Sequence, residues 1–373
     1  MSGYKKLKIA VYTICKDESQ FVSRFMESVK HEADMVIVTD TGSSDNTVEL
    51  LLSEGAIVHK CIVKPWRFDI PRNVSLSFVP DDVDVCVCID LDEVLSPGWR
   101  AAIERVWKKD ETTRLRYPYA WSTNEDGSPA VSFYYDKIHD RKNYRWVLPV
   151  HEVATYSSPT GHEIFAQTDE FRLTHKPDPS KSRSSYLPLL EMAAKEKPDD
   201  DRTSHYLGRE YLFYGMYDKS IAELTRHLSL PSAKWNSERC ASMRYIGRSL
   251  FAQGKLKEAE KQFLVACAEA SDEREPWYEL TRNYYFQQNW PGVYYAGKMA
   301  LSIEVRTYGY ISLPECWNGD IEDFTSIGAW NIGLKSEALE LANKALSFKP
   351  NDTRIQNNVK LMSSDTSWKN LGI

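Results

Sequence analysis

The sequence predicts an α/β domain, built on a mostly parallel sheet with helices on both faces, followed by an all-α domain of repeated helix pairs. Three observations carry that reading. Short β-branched runs alternate with amphipathic segments over the first hundred residues. The polar clusters in that region fall just after predicted strands, where open α/β sheets bind ligands. Beyond residue 184 the pattern is helical and repeats: Gly208 matches Gly247, and Gly215 matches Gly254, each 39 residues on.

The elements follow in order. KIAVYTI (8–14) reads as the first strand. SQFVSRFMESVKH (19–31) sets Phe21, Val22, Phe25 and Val29 on one helical face. MVIVT (35–39) is a second, buried strand, and Asp45 or Asn46 caps a helix over 46–55. AIVHKCIV (56–63) is a third strand, and PRNVSLSFV (71–79) is a helix opened by Pro71. VDVCVCI (83–89) is a fourth strand, and a helix over 97–107 begins at Pro97. Residues 110–175, rich in Tyr, Trp, His and Arg, read as short strands with polar loops, and KPDPSKSRSS (176–185) as a linker. The domain boundary is placed at 180/181, giving domains of 1–180 and 181–373. In the second, HYLGREYLFYGMYDKSIAEL (205–224) and RYIGRSLFAQGKLKEAEKQF (244–263) are copies, with further copies at 277–296 and 324–346. Gly254, Asn289 and Gly333 are expected to supply positive φ between the helices of a pair.

A chain that is 42% hydrophobic and 27% charged is expected to be soluble and globular. A net charge of −6 excludes a global basic field that would draw the chain to nucleic acid or anionic membrane. No apolar run approaches the roughly 18–20 residues of a membrane span, and the N-terminus enters the first strand without a signal-peptide pattern. The seven cysteines have no framework spacing, so they are expected to be reduced, in a cytoplasmic setting. Cys86 and Cys88 should share one face of their strand.

The chemistry concentrates at CVCIDLDEVL (86–95), where Asp90, Asp92 and Glu93 crowd the end of an apolar strand. Carboxylates brought together in low dielectric repel one another, and a divalent cation with oxygen ligands compensates. Three further stretches stand at strand or helix ends: TICKDE (13–18), VTDTGSSDNT (38–47) and WRFDIPRNVSL (66–76).

These four motifs, in this order, resemble the family 2 glycosyltransferases of GT-A fold, in the branch that carries tetratricopeptide repeats behind the catalytic domain. The resemblance covers residues 8 to about 175, and ALSFKPND (345–352) resembles the closing phrase of a tetratricopeptide repeat. It implies a metal-dependent inverting transfer from a nucleotide-sugar, with UDP as the expected nucleotide, to a hydroxyl acceptor. The Asp90–Leu91–Asp92 segment then corresponds to the DxD motif, with Asp92 on Mn²⁺ or Mg²⁺ and Asp90 near the ribose or the metal's waters. Asp40 accepts a hydrogen bond from the base, flanked by Thr13 and Glu18. Asp17 stands where relatives often have Asn, which leaves base choice open. Arg72, followed by Asn73, faces phosphate or the DxD carboxylates. His151 is the third metal-ligand candidate, and His175 another. Glu152 is the expected general base, with Asp136 and Asp140 as competitors. Trp146 and Arg145 are expected to line the acceptor site.

Other classes fit less well. A phosphohydrolase with a nucleophilic Asp90 lacks the small residue expected after Asp92, and a dinucleotide enzyme lacks a Gly-x-Gly turn after strand one. The alternative is a weakly catalytic nucleotide-sugar-binding protein whose repeats dock a protein partner or self-associate. Acceptors open to this plan are saccharides, proteins and hydroxymethylated pyrimidines in DNA. Arg114, Arg116, Lys137, Arg141, Lys142 and Arg145 are the candidate basic groove for the last of these.

Overall fold

A computed structural model describes residues 6–124, 126–178, 186–307 and 309–364. The chain divides into two compact units, Met1–Ala193 and Ala194–Ile373.

The first unit alternates β1 (Ile9–Cys15), α1 (Ser19–Val29), β2 (Met35–Asp40), α2 (Thr47–Ser53), β3 (Ile57–Lys60), α3 (Asp69–Phe78), β4 (Val85–Cys88), β5 (Glu93–Leu95) and α4 (Trp99–Val106). It continues through β6 (Arg114–Thr123), β7 (Pro129–His139), β8 (Tyr144–Val147), β9 (Val153–Tyr156), β10 (Phe165–Gln167) and β11 (Leu173–His175) to α5 (Tyr186–Glu196), which runs across the division. The main sheet has the order β3-β2-β1-β4-β7-β6-β11-β5, with β10 also on β6. Strands β3, β2, β1 and β4 are parallel. β7 enters antiparallel to β4 and to β6, and β5 antiparallel to β11, so the sheet is mixed.

The parallel strands form as expected from their apolar runs, because both of their faces are covered. Every residue of β1 is buried. One face packs on Phe21, Val22, Phe25, Met26 and Val29 of α1, Leu51 of α2, and Trp99, Ala102 and Ile103 of α4. The other face, carrying Ala10, Tyr12, Ile37, Cys86 and Cys88, packs on Leu76 of α3 and on Tyr144, Trp146 and Ala154 of the β8–β9 ribbon. That second face therefore carries one helix and a ribbon rather than a layer of helices. Cys86 and Cys88 share it, and all seven cysteines are free.

Three expectations shift. The helix predicted from Pro71 starts two residues earlier, at Asp69; proline is tolerated there because the first N–H groups of a helix have no intrahelical partner. Likewise α4 starts at Trp99 behind Gly98, whose φ is +86°. The strands of 110–175 are not all short: β6 and β7 have 10 and 11 residues and pair along their length with register shifts. Of the predicted linker, 179–185 lies outside the described residues. The part before it is tied down by Lys176 N–H to Asp92 O (2.8 Å) and Gln20 to Asp178 (2.9 Å).

The second unit pairs α6 (Asp201–Phe213) with α7 (Tyr217–Ser229), α8 (Asn236–Ala252) with α9 (Leu256–Glu269), α10 (Arg274–Phe286) with α11 (Trp290–Leu301), and α12 (Asp320–Asn331) with α13 (Lys335–Phe348), and ends on α14 (Thr353–Ser364). The matched glycines are contact points. A Cβ on Gly208 would stand 2.5 Å from Leu224, and one on Gly247 would stand 2.3 Å from Phe263. Gly215, Gly254 and Gly333 take positive φ at the turns. In the third pair the left-handed residue is Gln288 (φ +54°), not Asn289. Asn289 has φ −83° and instead caps α11, accepting from Gly292 N–H, the role in which Asn is favoured. The irregular spacing before the fourth pair comes from the long 302–319 connection, whose Ile311 and Cys316 are buried. Asp352, in the predicted closing phrase, caps α14 through the N–H groups of Arg354 and Ile355. Among the described residues no helix is long and apolar enough to cross a membrane.

Candidate functional site

The parallel order places the carboxyl ends of β2, β1 and β4 side by side, so Asp40, the 15–18 turn and Asp90 lie along one edge. The loops there are stitched by polar side chains. Asp17, at φ +50°, accepts from Ser44 N–H (2.6 Å) and donates its own N–H to Ser43 Oγ (2.9 Å). Asp40 is buried and accepts from Ser43 N–H (2.9 Å). Glu18, also buried, donates its N–H to Thr47 Oγ1 (2.8 Å). Asp45 accepts from the N–H and hydroxyl of Thr47 and from Ser19 N–H, so Asp45 rather than Asn46 makes the capping bonds. These contacts hold its carboxyl down to about 2, against the upward pull of burial. Thr13 is fully buried, and its carbonyl takes the Ser75 hydroxyl, which anchors α3 to β1. Leu91 is likewise a core residue.

At the end of β4 the charges are interlocked. Arg72, only 3% exposed, donates through Nη2 to Asp90 Oδ1 (2.7 Å) and through Nε to Glu152 Oε1 (2.5 Å). Its Nη1 lies 3.6 Å from Cys88 Sγ, and its guanidinium sits 5.2 Å over the Trp146 ring. Lys137 Nζ reaches the other Asp90 oxygen at 3.3 Å. Burial alone would drive the Asp90 carboxyl up, but Arg72 and Lys137 hold it far below the carboxylate range. Burial would discharge Arg72 and Lys137 too, and here Asp90 leads in raising both. Glu93 has a different role: it is 2% exposed and accepts from Asp90 N–H (2.8 Å) and Tyr119 OH (2.8 Å). Burial pushes its carboxyl up, with Asp90 adding to the rise.

Asp92 stands apart from that cluster. Its Oδ2 is 3.4 Å from His175 Nε2. Burial lowers His175, but Asp92, together with Glu93 and the Trp121 carbonyl, outweighs it and the net shift is upward. The imidazole stacks on Trp121 at 4.5 Å and 21°, and that indole is 45% exposed.

The expected metal ligands do not converge. Both Asp90 oxygens are taken by cations, and among the described residues Asp90, Asp92 and His151 do not bring one ligand atom each within 4.8 Å of the others. His151 has φ +50° and lies 5.7 Å from the Tyr186 ring. Trp146 does not line an open surface: it is 1% exposed, donates to Tyr12 OH (2.8 Å), and its backbone pairs with the Asn73 amide. Arg145, next on the strand, points the other way and is exposed. Of the candidate bases, Glu152 is the one joined to Asp90 through Arg72. Asp136 faces Arg114 at 3.4 Å, and Asp140 is consumed by the 140–143 turn, accepting from Lys142 N–H, Asn143 N–H and Asn143 Nδ2. The basic groove does not form as a stripe. Arg114 and Lys137 are buried in ion pairs and Arg141 is held by Val79 O, which leaves Arg116, Lys142 and Arg145 exposed.

Sequence reasoning missed Lys137 as a partner of Asp90, Glu93 as a buried strut, and Trp121 beside His175. Trp121 was legible as an aromatic near the end of a strand, but its pairing with His175 depends on β6 lying beside β11.

No protein-family model matches the chain. It is 34% identical over 114 residues to an uncharacterized glycosyltransferase of Rickettsia bellii, covering 31% of this chain and 37% of that protein. A similar match, 36% over 108 residues, joins 29% of this chain to 35% of an uncharacterized glycosyltransferase of Rickettsia prowazekii. A TPR repeat-containing protein of Synechococcus elongatus is 24% identical over 48% of this chain and 42% of its own length. The chain thus spans little more than a third of the Rickettsia proteins it matches. Among solved structures, YrrB, a TPR protein with an unusual peptide-binding site, aligns with 48% of this chain and 84% of its own at 14% identity and TM-score 0.39. MamA aligns with 46% of this chain and 91% of its own at 17% identity and TM-score 0.37.

Proposed function

We propose that this chain is a metal-dependent glycosyltransferase of GT-A type that moves a sugar from a nucleotide donor, with UDP the expected nucleotide, to a hydroxyl acceptor. The observation that carries the reading is the division of labour at the end of β4. Asp90 is locked between Arg72 and Lys137, while Asp92 is kept out of that lock and set 3.4 Å from a histidine. The glycosyltransferase names of the Rickettsia relatives point the same way.

The donor set fits a cation at Asp92 and His175 better than one at Asp90 and His151. Asp92 Oδ2 and His175 Nε2 stand 3.4 Å apart, within reach of one ion, whereas both Asp90 oxygens are taken by Arg72 and Lys137. A Mn²⁺ or Mg²⁺ ion held there would supply Lewis-acid stabilisation of the departing diphosphate. The protein's own groups do the rest. Asp40, acceptor-only when ionised, takes a base N–H at the edge of the pocket. Arg72 keeps Asp90 ionised and Glu152 in place. Glu152 is the carboxylate positioned to take the acceptor's proton, its Oε1 on Arg72 leaving Oε2 for that task. The half-exposed indole of Trp121, whose other face stacks on His175, replaces Trp146 as the platform for a sugar ring.

The test is nucleoside-diphosphate release from a panel of sugar donors with and without Mn²⁺. Asp92→Ala is expected to abolish release with the fold intact, and full release by that variant would sink the proposal.

A further inference from the structure

Far from that edge in sequence, within the second unit, three buried side chains on three successive helices converge. His205 of α6, His227 of α7 and Glu238 of α8 each bring a ligand atom within 4.8 Å of the other two. Both histidines are fully buried, and Glu238 is 6% exposed. His227 Nε2 lies 3.4 Å from Glu238 Oε1. That is the separation of two ligands each about 2.1 Å from one tetrahedral ion, about 3.4 Å.

The surroundings are built as a ligand shell. Ser242, also fully buried, holds both rings by the same atoms: its Oγ is 2.8 Å from His205 Nδ1 and 2.9 Å from His227 Nδ1. An oxygen with two lone pairs can accept an Nδ1–H from each ring, and that tautomer leaves both Nε2 lone pairs free as donors. Both Nε2 atoms are in fact without a hydrogen-bond partner, although buried. An unsatisfied nitrogen in the interior is costly, and here there are two in one cluster. Glu238 is arranged to match: Tyr310 OH donates to Oε2, so Oε1 is the oxygen turned to His227.

We propose that His205, His227 and Glu238 form a structural site for a divalent transition-metal ion of the zinc class, oriented by Ser242 and Tyr310. Two imidazoles and one carboxylate suit Zn²⁺ and Co²⁺ rather than the all-oxygen preference of Ca²⁺ or Mg²⁺. The ion would cross-link the first helix pair to the start of the second. Tyr310 ties the long 302–319 connection to the same point.

The test uses the full-length chain, free of any polyhistidine tag, carrying Asp92→Asn so that the strand-edge site takes no metal. The chelator-stripped protein is titrated with Zn²⁺ and with Co²⁺. Expected are one equivalent bound, a visible absorption band of four-coordinate Co²⁺, and a rise of several degrees in Tm with Zn²⁺. The band should vanish in His227→Gln and in Glu238→Gln. Ser242→Ala should bind about 10–100-fold more weakly. A folded, stripped chain that takes up no stoichiometric ion overturns the proposal, as does a band that survives His227→Gln. Should the ligand variants not fold, the ring NMR signals of the two histidines decide: signals unmoved by saturating Zn²⁺ overturn it, and shifts in both support it.

Discussion

Arg72→Met is the most informative single change in the first unit. The guanidinium serves Asp90 at 2.7 Å and Glu152 at 2.5 Å from a position that is 3% exposed. Methionine keeps the packing against Trp146 and removes the charge. Truncating one partner of a buried ion pair costs about 3–5 kcal/mol, because the other charge is left without compensation. Two carboxylates lose their partner here, but Lys137 remains 3.3 Å from Asp90 and offsets part of the loss. The expected cost is therefore in the lower part of that range, about 3–4 kcal/mol. In a Glu152→Gln background the same change should cost about 1–2 kcal/mol less, since no second charge is stranded. The assay is denaturant-dependent hydrogen exchange of the β1 and β4 amides, which report the first unit without assuming that both units unfold together. A cost below about 1 kcal/mol, or the same cost in both backgrounds, would refute the interlocked-charge account.

Four further outcomes are expected. His175→Gln should weaken Mn²⁺-dependent donor binding at least about 10-fold while leaving β1 and β4 exchange unchanged; unchanged binding places the ion elsewhere. Gly247→Ala should cost about 1–3 kcal/mol by overpacking, because its Cβ would meet Phe263 at 2.3 Å. Gly254→Ala should cost about 1–2 kcal/mol for a different reason, its φ of +76° with open space around it; thermal unfolding reads both. For pH, burial holds His139 at about 4, below its ordinary 6.5, while Tyr12 OH and Asp140 O occupy its two nitrogens. Between these values the unfolded chain carries the extra proton, so this contribution is fully present above pH 6.5 and is lost as pH falls to 4. It amounts to about 3 kcal/mol. The difference in stability between parent and His139→Gln should shrink over that window, and a flat difference would contradict the assignment.

How far the sequence could be read depended on how local the deciding contacts were. The four parallel strands and α1 were legible because their apolar patterns answer to burial on a known period, and Asp90 was legible because it ends such a run. Lys137 was not: a lysine in a strand reads as solvated unless a partner neutralises it, and its partner is 47 residues away, across a pairing of β4 with β7 that no local pattern announces. Trp146 failed for the converse reason. An indole beside an arginine looks like a binding platform, yet the β8–β9 ribbon folds that face onto the sheet and leaves only Arg145 outside. The turn at 288–289 shows the limit of composition rules, since Asn289 is spent as a cap and Gln288 must take the left-handed conformation.

The measurement that bears most directly on the proposed function is a thermal-shift screen of the full chain against UDP-, GDP-, ADP- and dTDP-sugars, each with Mn²⁺ and with EDTA. The account predicts that one nucleotide class raises Tm in Mn²⁺ beyond the effect of the metal alone, by mass action on the folded state, and that Asp92→Asn removes that increment. No increment with any donor, or one that persists in Asp92→Asn, would contradict it.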